Sequence, residues 1–229
     1  MTTRKLGTLT IGQAPRTDIT PILDAHLPDV LPRVHMGVLD GLTSAEIEAR
    51  YAPQTGNATL VSRLLDGSSV IVDKPDVRAV LQEKIDALVA LGCDVILVLC
   101  TGEFHGLEGR TAWLVEPDQI VPPAAAALVG DRQVGIVVPL ASQIESEYRK
   151  WAGLRRAPIC AAASPYRNVD ESDELITAAC ELREKGAELL ILDCMGFVER
   201  HRQIVKEASG LPVILSNALI ARLTAEILS

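Results

Sequence analysis

The sequence predicts an α/β protein with two similar halves, each built around a parallel β-sheet. Short aliphatic runs alternate with amphipathic stretches along the chain, which is typical of β-α units. One segment that combines a strand with a cysteine recurs later in the chain, which indicates two halves rather than one continuous sheet. With 229 residues, the chain is long enough for two small domains.

The first half begins with a strand and a loop that leads into a helix. Its strands are predicted at Lys5–Ile11, Arg33–Leu39, Thr59–Leu64, Ser68–Asp73, Asp94–Leu99 and Thr111–Val115. Its helices are predicted at Thr17–His26, Ser44–Arg50 and Pro75–Leu91. Asp66-Gly67 predicts a hairpin turn, Thr43 or Ser44 a helix N-cap, and Gly92 the end of the third helix.

The second half continues the alternation. Its helices are predicted at Asp118–Val129, Ser142–Trp151, Glu171–Lys185, Glu199–Ala208 and Ala218–Leu228. Its strands are predicted at Gln133–Val138, Ile159–Ala163, Glu188–Asp193 and Pro212–Leu215. Pro122 and Pro123 are expected near the first turn of their helix, where a missing N–H costs least.

An internal repeat is the strongest organisational signal. The segments Gly92–Gly102 (GCDVILVLCTG) and Gly186–Gly196 (GAELLILDCMG) share a helix-ending glycine, an acidic residue, an aliphatic strand and Cys-x-Gly. Both follow an amphipathic helix. We therefore expect Cys100 and Cys194 to occupy equivalent places in the two halves.

Composition narrows the classes of partner. The formal net charge is −8 and only seven residues are aromatic, which argues against a nucleic-acid or anionic membrane partner. Five cysteines, an odd number without CxxC spacing, argue against a disulfide framework and against a zinc site. We see neither a signal-peptide pattern nor a membrane-spanning run, so we expect a cytoplasmic protein.

Position makes two of the cysteines candidates for catalysis. In parallel α/β folds, ligands bind beyond the carboxyl ends of the strands, where Cys100 and Cys194 both fall. A helix beginning just downstream of each would lower the thiol pKa and favour an anion. If the halves face each other, one thiol can remove an α-proton while the other returns one, without a cofactor. The alternative is a cysteine that only packs, which we expect for Cys93, Cys160 and Cys180.

Residues beside the thiols are predicted to bind the substrate: Gln13, Arg16, Thr101, Gly102, Glu103, Ser142, Met195 and Gly196. Arg16 would bind a carboxylate bidentately, or else be a solvated charge at a helix start. Backbone N–H groups in the two Cys-x-Gly turns would form an oxyanion site, or the turns are only tight connections. Ser142 would bind ligand or act as an N-cap.

The sequence suggests roles for three further residues. Glu103 would tune Cys100 or contact an ammonium group. Asp193 would orient a base. His105 is close enough in sequence to Cys100 to invite a Cys/His nucleophile, although loop histidines are commonly just solvated. No phosphate-binding loop or dinucleotide fingerprint is present in the sequence, so we expect no such cofactor, and the histidines show no metal spacing.

Three segments together resemble the AroM family within the aspartate/glutamate racemase superfamily: Thr10–Arg16 (TIGQAPR), Leu99–Phe104 (LCTGEF) and Asp193–Phe197 (DCMGF). The resemblance implies two pseudo-symmetric flavodoxin-like lobes with a ligand cleft between them. It places residues 1–116 in the first lobe, closed by the C-terminal helix 218–229, and residues 117–217 in the second. It also implies cofactor-independent chemistry beside a carboxylate, with paired cysteines as acid and base.

The two cysteine motifs depart from those of the amino-acid racemases. Those enzymes typically have Cys-Asn-Thr and Cys-Thr, where this chain has Cys100-Thr101-Gly102 and Cys194-Met195. The departure leaves the two thiols in place. From the matched thiols and the family resemblance we expect a racemase or epimerase-like isomerase acting on a small amino, hydroxy or dicarboxylic acid, and a dimer is a common state at this size. The alternatives are a single-cysteine isomerase, decarboxylase or lyase, and a non-catalytic regulatory protein that binds a small molecule.

Overall fold

The computed structural model describes residues 4–28, 31–167 and 173–229. Within them the chain divides into two compact units. The first comprises the residues up to Pro117 together with Ala221–Ser229, and the second comprises Asp118–Ile220. Every helix among these residues is too short or too polar to cross a membrane.

A four-stranded parallel sheet forms the centre of the first unit. Its strands are β1 (Leu6–Thr10), β2 (Arg33–Gly37), β5 (Val95–Leu99) and β6 (Trp113–Val115), in the order β2-β1-β5-β6. Every residue of β1 and of β5 is buried, because both strands lie inside the sheet. Their continuous aliphatic sequences are typical of central parallel strands covered on both faces.

An antiparallel hairpin and three helices complete this unit. The hairpin consists of β3 (Thr59–Arg63) and β4 (Ser69–Asp73), and Asp66 accepts hydrogen bonds from Ser68 in its turn. The helices are α1 (Thr20–Asp24), α2 (Ser44–Tyr51) and α3 (Lys74–Ala90). Thr43 forms a capping box with Glu46 at the start of α2. Gly92 adopts φ +78° after α3, a conformation that favours glycine.

The second unit contains a parallel sheet of the same order. Its strands are β7 (Val134–Val138), β8 (Ile159–Ala162), β9 (Leu189–Leu192) and β10 (Val213–Leu215), in the order β10-β9-β7-β8. Counted along the chain, the third strand of each sheet pairs with the first, and the second lies on the other side of the first. The matching order agrees with the repeat in the sequence.

Five helices belong to the rest of the chain: α4 (Pro117–Val129), α5 (Ile144–Lys150), α6 (Asp173–Glu184), α7 (Glu199–Ser209) and α8 (Ser216–Leu228). A 3-10 turn, Ala141–Gln143, precedes α5. The predicted start of α6 at Glu171 lies outside the described residues. Pro122 and Pro123 lie inside α4 rather than in its first turn, because that helix already begins at Pro117.

Two further expectations about helices are wrong. The first helix begins at Thr20 rather than Thr17, because the preceding residues form a turn in which Ile19 and Thr20 both donate to the Arg16 carbonyl. Ser142 is not an N-cap. It lies within the 3-10 turn, and the N-cap position of α5 falls on Gln143, which makes no capping side-chain bond.

Candidate functional site

Cys100 follows the last residue of β5, at the carboxyl end of the first sheet. Its side chain is buried, and its Sγ accepts a hydrogen bond from the Gly102 backbone N–H at 3.3 Å. Apolar side chains surround this turn. A Cβ on Gly102 would lie 3.0 Å from Leu60 Cδ2, and Phe104 is buried in the same hydrophobic cluster as Cys100. The thiol therefore lies at a sheet edge against the core.

Cys194 has the corresponding position in the second sheet, two residues after the end of β9. Its Sγ accepts a hydrogen bond from the Gly196 backbone N–H at 3.4 Å. The hydroxyl of Tyr166 lies 4.0 Å from the same sulfur. Like Cys100, Cys194 is 8% exposed.

The two thiols thus occur in equivalent local structures. Each follows the third strand of its sheet, and the two sheets have the same strand order. Each sulfur accepts a hydrogen bond from the backbone N–H of the glycine two residues later. In such sheets, the boundary between the first and third strands is where chain connections reverse direction and ligands bind. The glycine N–H groups at these turns are directed at sulfur, which differs from the expected oxyanion site.

The structure corrects the expectation of a helix just after Cys100. Residues 100–112 contain no helix, so the loop after this thiol supplies no helix N-terminus. The loop is held on α3 instead. Arg78 donates to the carbonyl oxygens of His105 and Gly106, and Gln82 exchanges two hydrogen bonds with the Glu108 backbone. After Cys194 a helix does follow, since α7 begins at Glu199.

Gln13 joins three loops of the first unit. Its side-chain amide donates to the carbonyl oxygens of Leu39 and Leu42 at 3.3 and 3.1 Å. Its side-chain carbonyl accepts from the Leu65 backbone N–H at 2.9 Å. These three bonds tie the loop after β1 to the loop after β2 and to the hairpin turn, so the side chain supports the edge of the sheet.

Arg16 is 4% exposed, so the solvated-charge alternative is wrong for this residue. Its guanidinium makes a two-pronged salt bridge with Asp18, at 2.9 and 2.7 Å. It also donates to the hydroxyls of Thr10 and Ser62, each at 3.3 Å. The carboxylate bound to Arg16 in this structure therefore belongs to the chain itself. A pocket of about 220 Å³ adjoins Arg16 and the turn of the hairpin.

The other predicted binding residues differ in exposure. Thr101 and Met195 are buried beside their cysteines, Glu103 is half-buried, and Ser142 is exposed. The Met195 carbonyl accepts from the Asn217 side chain at 3.0 Å, and the Phe197 carbonyl accepts from the same amide. Asn217 is fully buried at the start of α8, so it fixes the turn that carries Cys194.

A buried polar cluster lies directly behind Cys194, and we refer to it as the Asp193 cluster: Glu147, Lys150, Trp151, Asp193 and Ser216. The Asp193 carboxylate forms a salt bridge with Lys150, and it accepts from Ser216 Oγ at 2.9 Å and from Trp151 Nε1 at 3.1 Å. Trp151 Nε1 also donates to Glu147 at 2.8 Å. These bonds make Asp193 an anchor for the end of β9.

Charge balance in the Asp193 cluster depends on one proton. Burial, and then the Asp193 charge, raise the pKa of Glu147 to about 8. Burial alone would raise the pKa of Asp193, but the Lys150 charge and several hydrogen bonds outweigh it and lower that pKa. Glu147 is thus neutral at pH 7 and donates to the Asp193 carboxylate, whose charge Lys150 balances.

The remaining cysteines pack or lie near this cluster. Cys93 is buried in the core of the first unit, and burial raises its pKa. Cys160 on β8 is half-buried, and burial together with Glu147 and Asp193 raises its pKa to about 12. Among the described residues, no disulfide bond joins any of the five cysteines. In the described part of the chain, no group of three or more His, Cys, Asp or Glu residues is arranged to hold a metal ion.

The family model described as AroM protein matches residues 6–228 of this chain. The chain belongs to the AroM family. A search of curated proteins found no significant match.

Solved structures show which fold this AroM family member has. An unliganded arylmalonate decarboxylase is 14% identical with a TM-score of 0.61, covering 99% of this chain and 92% of that one. Glutamate racemase from Aquifex pyrophilus is 14% identical with a TM-score of 0.58, covering 97% and 83%. The maleate isomerase Iso from Pseudomonas putida S16 is 11% identical with a TM-score of 0.57, covering 98% and 93%. The AroM chain therefore has the two-lobed Asp/Glu racemase-like fold.

Sequence reasoning missed six polar residues around Cys194: Glu147, Lys150, Trp151, Tyr166, Ser216 and Asn217. One signal was available in this AroM sequence. Glu147, Lys150 and Trp151 share one face of a helix by their spacing of three and four residues. An acid and a lysine on the same face as a tryptophan indicate a buried pair, since an exposed face rarely carries tryptophan.

Proposed function

We propose that the protein is a cofactor-independent racemase or epimerase-like isomerase that acts on a small carboxylate compound. Cys100 and Cys194 form its acid/base pair. The observation that carries the proposal is the equivalence of the two thiols. Each follows the third strand of its sheet, and each accepts a hydrogen bond from the backbone N–H of the glycine two residues later. Packing alone does not explain why a cysteine with the same hydrogen bond occurs at the same place in two separate sheets.

The proposed chemistry is one proton removed and one returned. The thiolate of one cysteine takes the α-proton, so a C–H bond breaks and an S–H bond forms, while the electron pair delocalises onto the carboxylate. The thiol of the other cysteine then protonates the carbon on the opposite face. The glycine N–H bonds to sulfur support this cycle, because a backbone donor stabilises a thiolate more than a thiol.

Substrate recognition is proposed for the loops at the same sheet edges. The proposed ligand contacts are Thr101, Glu103, Met195 and Ser142. Thr101 and Met195 each follow a cysteine directly, and Glu103 lies three residues after Cys100. Gln13 and Arg16 are proposed to act by holding the loop after β1, because their side chains already have partners in the first unit. Arg16 contacts substrate only if the substrate carboxylate replaces Asp18.

An NMR screen in heavy water tests the proposed activity. The purified protein is incubated with amino, hydroxy and dicarboxylic acids, and deuterium uptake at the α-carbon is followed. We expect exchange for one chemical class of acid and inversion of the same centre. An acid that stabilises the protein without exchanging its α-hydrogen would instead indicate a binding protein.

A single-cysteine reaction is the second candidate, because the solved structures with this fold include a decarboxylase and a maleate isomerase as well as racemases. In that reaction one sulfur attacks the substrate and forms a covalent adduct. The protein is mixed with its substrate, quenched and analysed by mass spectrometry, which distinguishes the single-cysteine reaction from the acid/base pair. An adduct on one cysteine favours the nucleophile, whereas exchange without an adduct favours the acid/base pair.

A further inference from the structure

Tyr166 brings a hydroxyl from a different loop to the Cys194 turn. The residue lies beyond the carboxyl end of β8, on the far side of β7 from β9. Its Oη is nevertheless 4.0 Å from Cys194 Sγ, so the side chain extends across the edge of the sheet. The Tyr166 backbone N–H donates to Ser164 Oγ at 3.2 Å, which holds the start of the loop.

The ring is seated on Gly196, and this contact fixes the position of the hydroxyl. A Cβ on Gly196 would lie 2.5 Å from the Tyr166 Oη, 2.6 Å from Cζ and 2.7 Å from Cε1. Any side chain other than hydrogen at that position would therefore displace the phenol. The glycine of the Cys-x-Gly turn supplies an N–H to the sulfur and also makes room for the phenol beside it.

Two hydrogen-bonding groups from two loops thus approach one sulfur atom. The Gly196 N–H is at 3.4 Å and the Tyr166 hydroxyl at 4.0 Å, both from within the second unit. A thiolate gains more from such donors than a neutral thiol does, because a hydrogen bond to a charged acceptor is roughly twice as strong. A phenol also keeps its own proton at neutral pH, so it remains a donor throughout.

We propose that Tyr166 is a further catalytic residue, whose hydroxyl donates to Cys194 Sγ and holds that cysteine as the thiolate base. The inference rests on the proposed function, in which Cys194 belongs to the acid/base pair. When the thiolate takes the α-proton, the new S–H bond forms on sulfur and the phenol retains its proton.

The test uses the intact protein and a small thiol reagent, methyl methanethiosulfonate, with modification of Cys194 followed by peptide mass spectrometry. Tyr166→Phe keeps the ring on Gly196 and removes only the hydroxyl. Tyr148→Phe makes the same chemical change at a tyrosine that is 48% exposed, and serves as the matched control. At pH 7 we expect Cys194 to react about tenfold more slowly in Tyr166→Phe, the size of one lost bond to a charged group, and at the wild-type rate in Tyr148→Phe.

The pH profile separates this role from packing. In Tyr166→Phe the rate curve for Cys194 moves to higher pH by about one unit, which corresponds to the tenfold change. A purely structural effect would alter the rate by the same factor at every pH. An unchanged or faster rate in Tyr166→Phe, the same curve in both proteins, or no reaction of Cys194 in the wild type would overturn the proposal. Because the reagent needs no substrate, a failed deuterium screen would leave this result intact, and the two failures are distinguishable.

Discussion

The backbone nitrogen of Gly196 lies 3.4 Å from the sulfur of Cys194 and donates to it. Gly102 has the same relationship with Cys100 at 3.3 Å. The two turns differ in what covers the glycine, because Gly196 is beneath the Tyr166 ring and Gly102 faces Leu60. This difference leads to a first prediction about the turns.

Gly196→Ala is expected to destabilise the protein more than Gly102→Ala. The new Cβ would overlap a ring at 2.5–2.7 Å in the first case, but would approach the end of a leucine side chain at 3.0 Å in the second. Overpacking costs about 1–3 kcal/mol, and a methyl group that can rotate away relieves it. Urea unfolding of both variants checks the order. Equal losses would show that the phenol does not occupy the position described.

The buried acid Glu147 predicts a pH dependence of stability. Its pKa is raised from the ordinary 4.5 to about 8, so the folded state keeps a proton that the unfolded chain loses. Stability is therefore lost as pH rises from about 4.5 to about 8. Glu147→Gln imitates the neutral acid and removes this loss, so its advantage over the wild type should grow across that window. Chemical denaturation at several pH values measures it.

Glu145→Gln is the matched control for that experiment, since Glu145 is exposed on the same helix. Its stability curve should run parallel to the wild-type curve. A Glu147→Gln curve that also runs parallel would mean that Glu147 is ionised in the folded protein at neutral pH.

Asp193→Asn should destabilise the protein by up to about 3–5 kcal/mol, because it removes the carboxylate closest to the buried Lys150 ammonium and leaves Glu147, 3.9 Å away, as its acidic neighbour. Adding Lys150→Met should recover part of that loss, since the uncompensated charge is then gone. Asp131→Asn is the control, because the Asp131–Arg155 pair is exposed and such pairs contribute about 0–1 kcal/mol. Free energies of unfolding for the wild type, Asp193→Asn, Lys150→Met and the double variant complete the cycle. A double variant less stable than Asp193→Asn would contradict a buried ion pair.

Gln13→Ala should destabilise the first unit by about 2–3 kcal/mol, because three backbone groups lose their partner at roughly 1 kcal/mol each. Gln203→Ala changes an exposed glutamine of α7 and should have little effect. Thermal unfolding compares them. If Gln13→Ala unfolded at the wild-type temperature, the three hydrogen bonds would contribute no net stability, and Gln13 would again be a candidate ligand contact.

Much of the fold could be predicted from the sequence, for identifiable reasons. The aliphatic runs of β5 and β9 lie inside sheets, and Asp66-Gly67 makes the hairpin turn, because both patterns depend on local chemistry. The repeat predicted two similar halves, and the two sheets do share one strand order. The strand order itself is not local, and the flavodoxin-like arrangement came from the family resemblance.

The surroundings of the thiols were harder to predict. Taken singly, Glu147 and Lys150 look like solvated helix residues, and the sequence indicates their burial only through the face they share with Trp151. The contact between Tyr166 and Cys194 joins two loops that are 28 residues apart, and only the fold brings them together. The loop after Cys100 forms no helix and is held on α3 by Arg78 and Gln82, which are distant from it in sequence.

The central claim is that two cysteines transfer the proton, and single substitutions test it most directly. On an acid whose α-hydrogen the wild type exchanges in heavy water, Cys100→Ser and Cys194→Ser are compared with Cys180→Ser, which changes a half-buried cysteine of α6. We predict that each of the first two loses exchange or inversion by about 10²- to 10⁴-fold, the range for a positioned acid or base, and that Cys180→Ser retains it. Full turnover in both Cys100→Ser and Cys194→Ser would contradict the account.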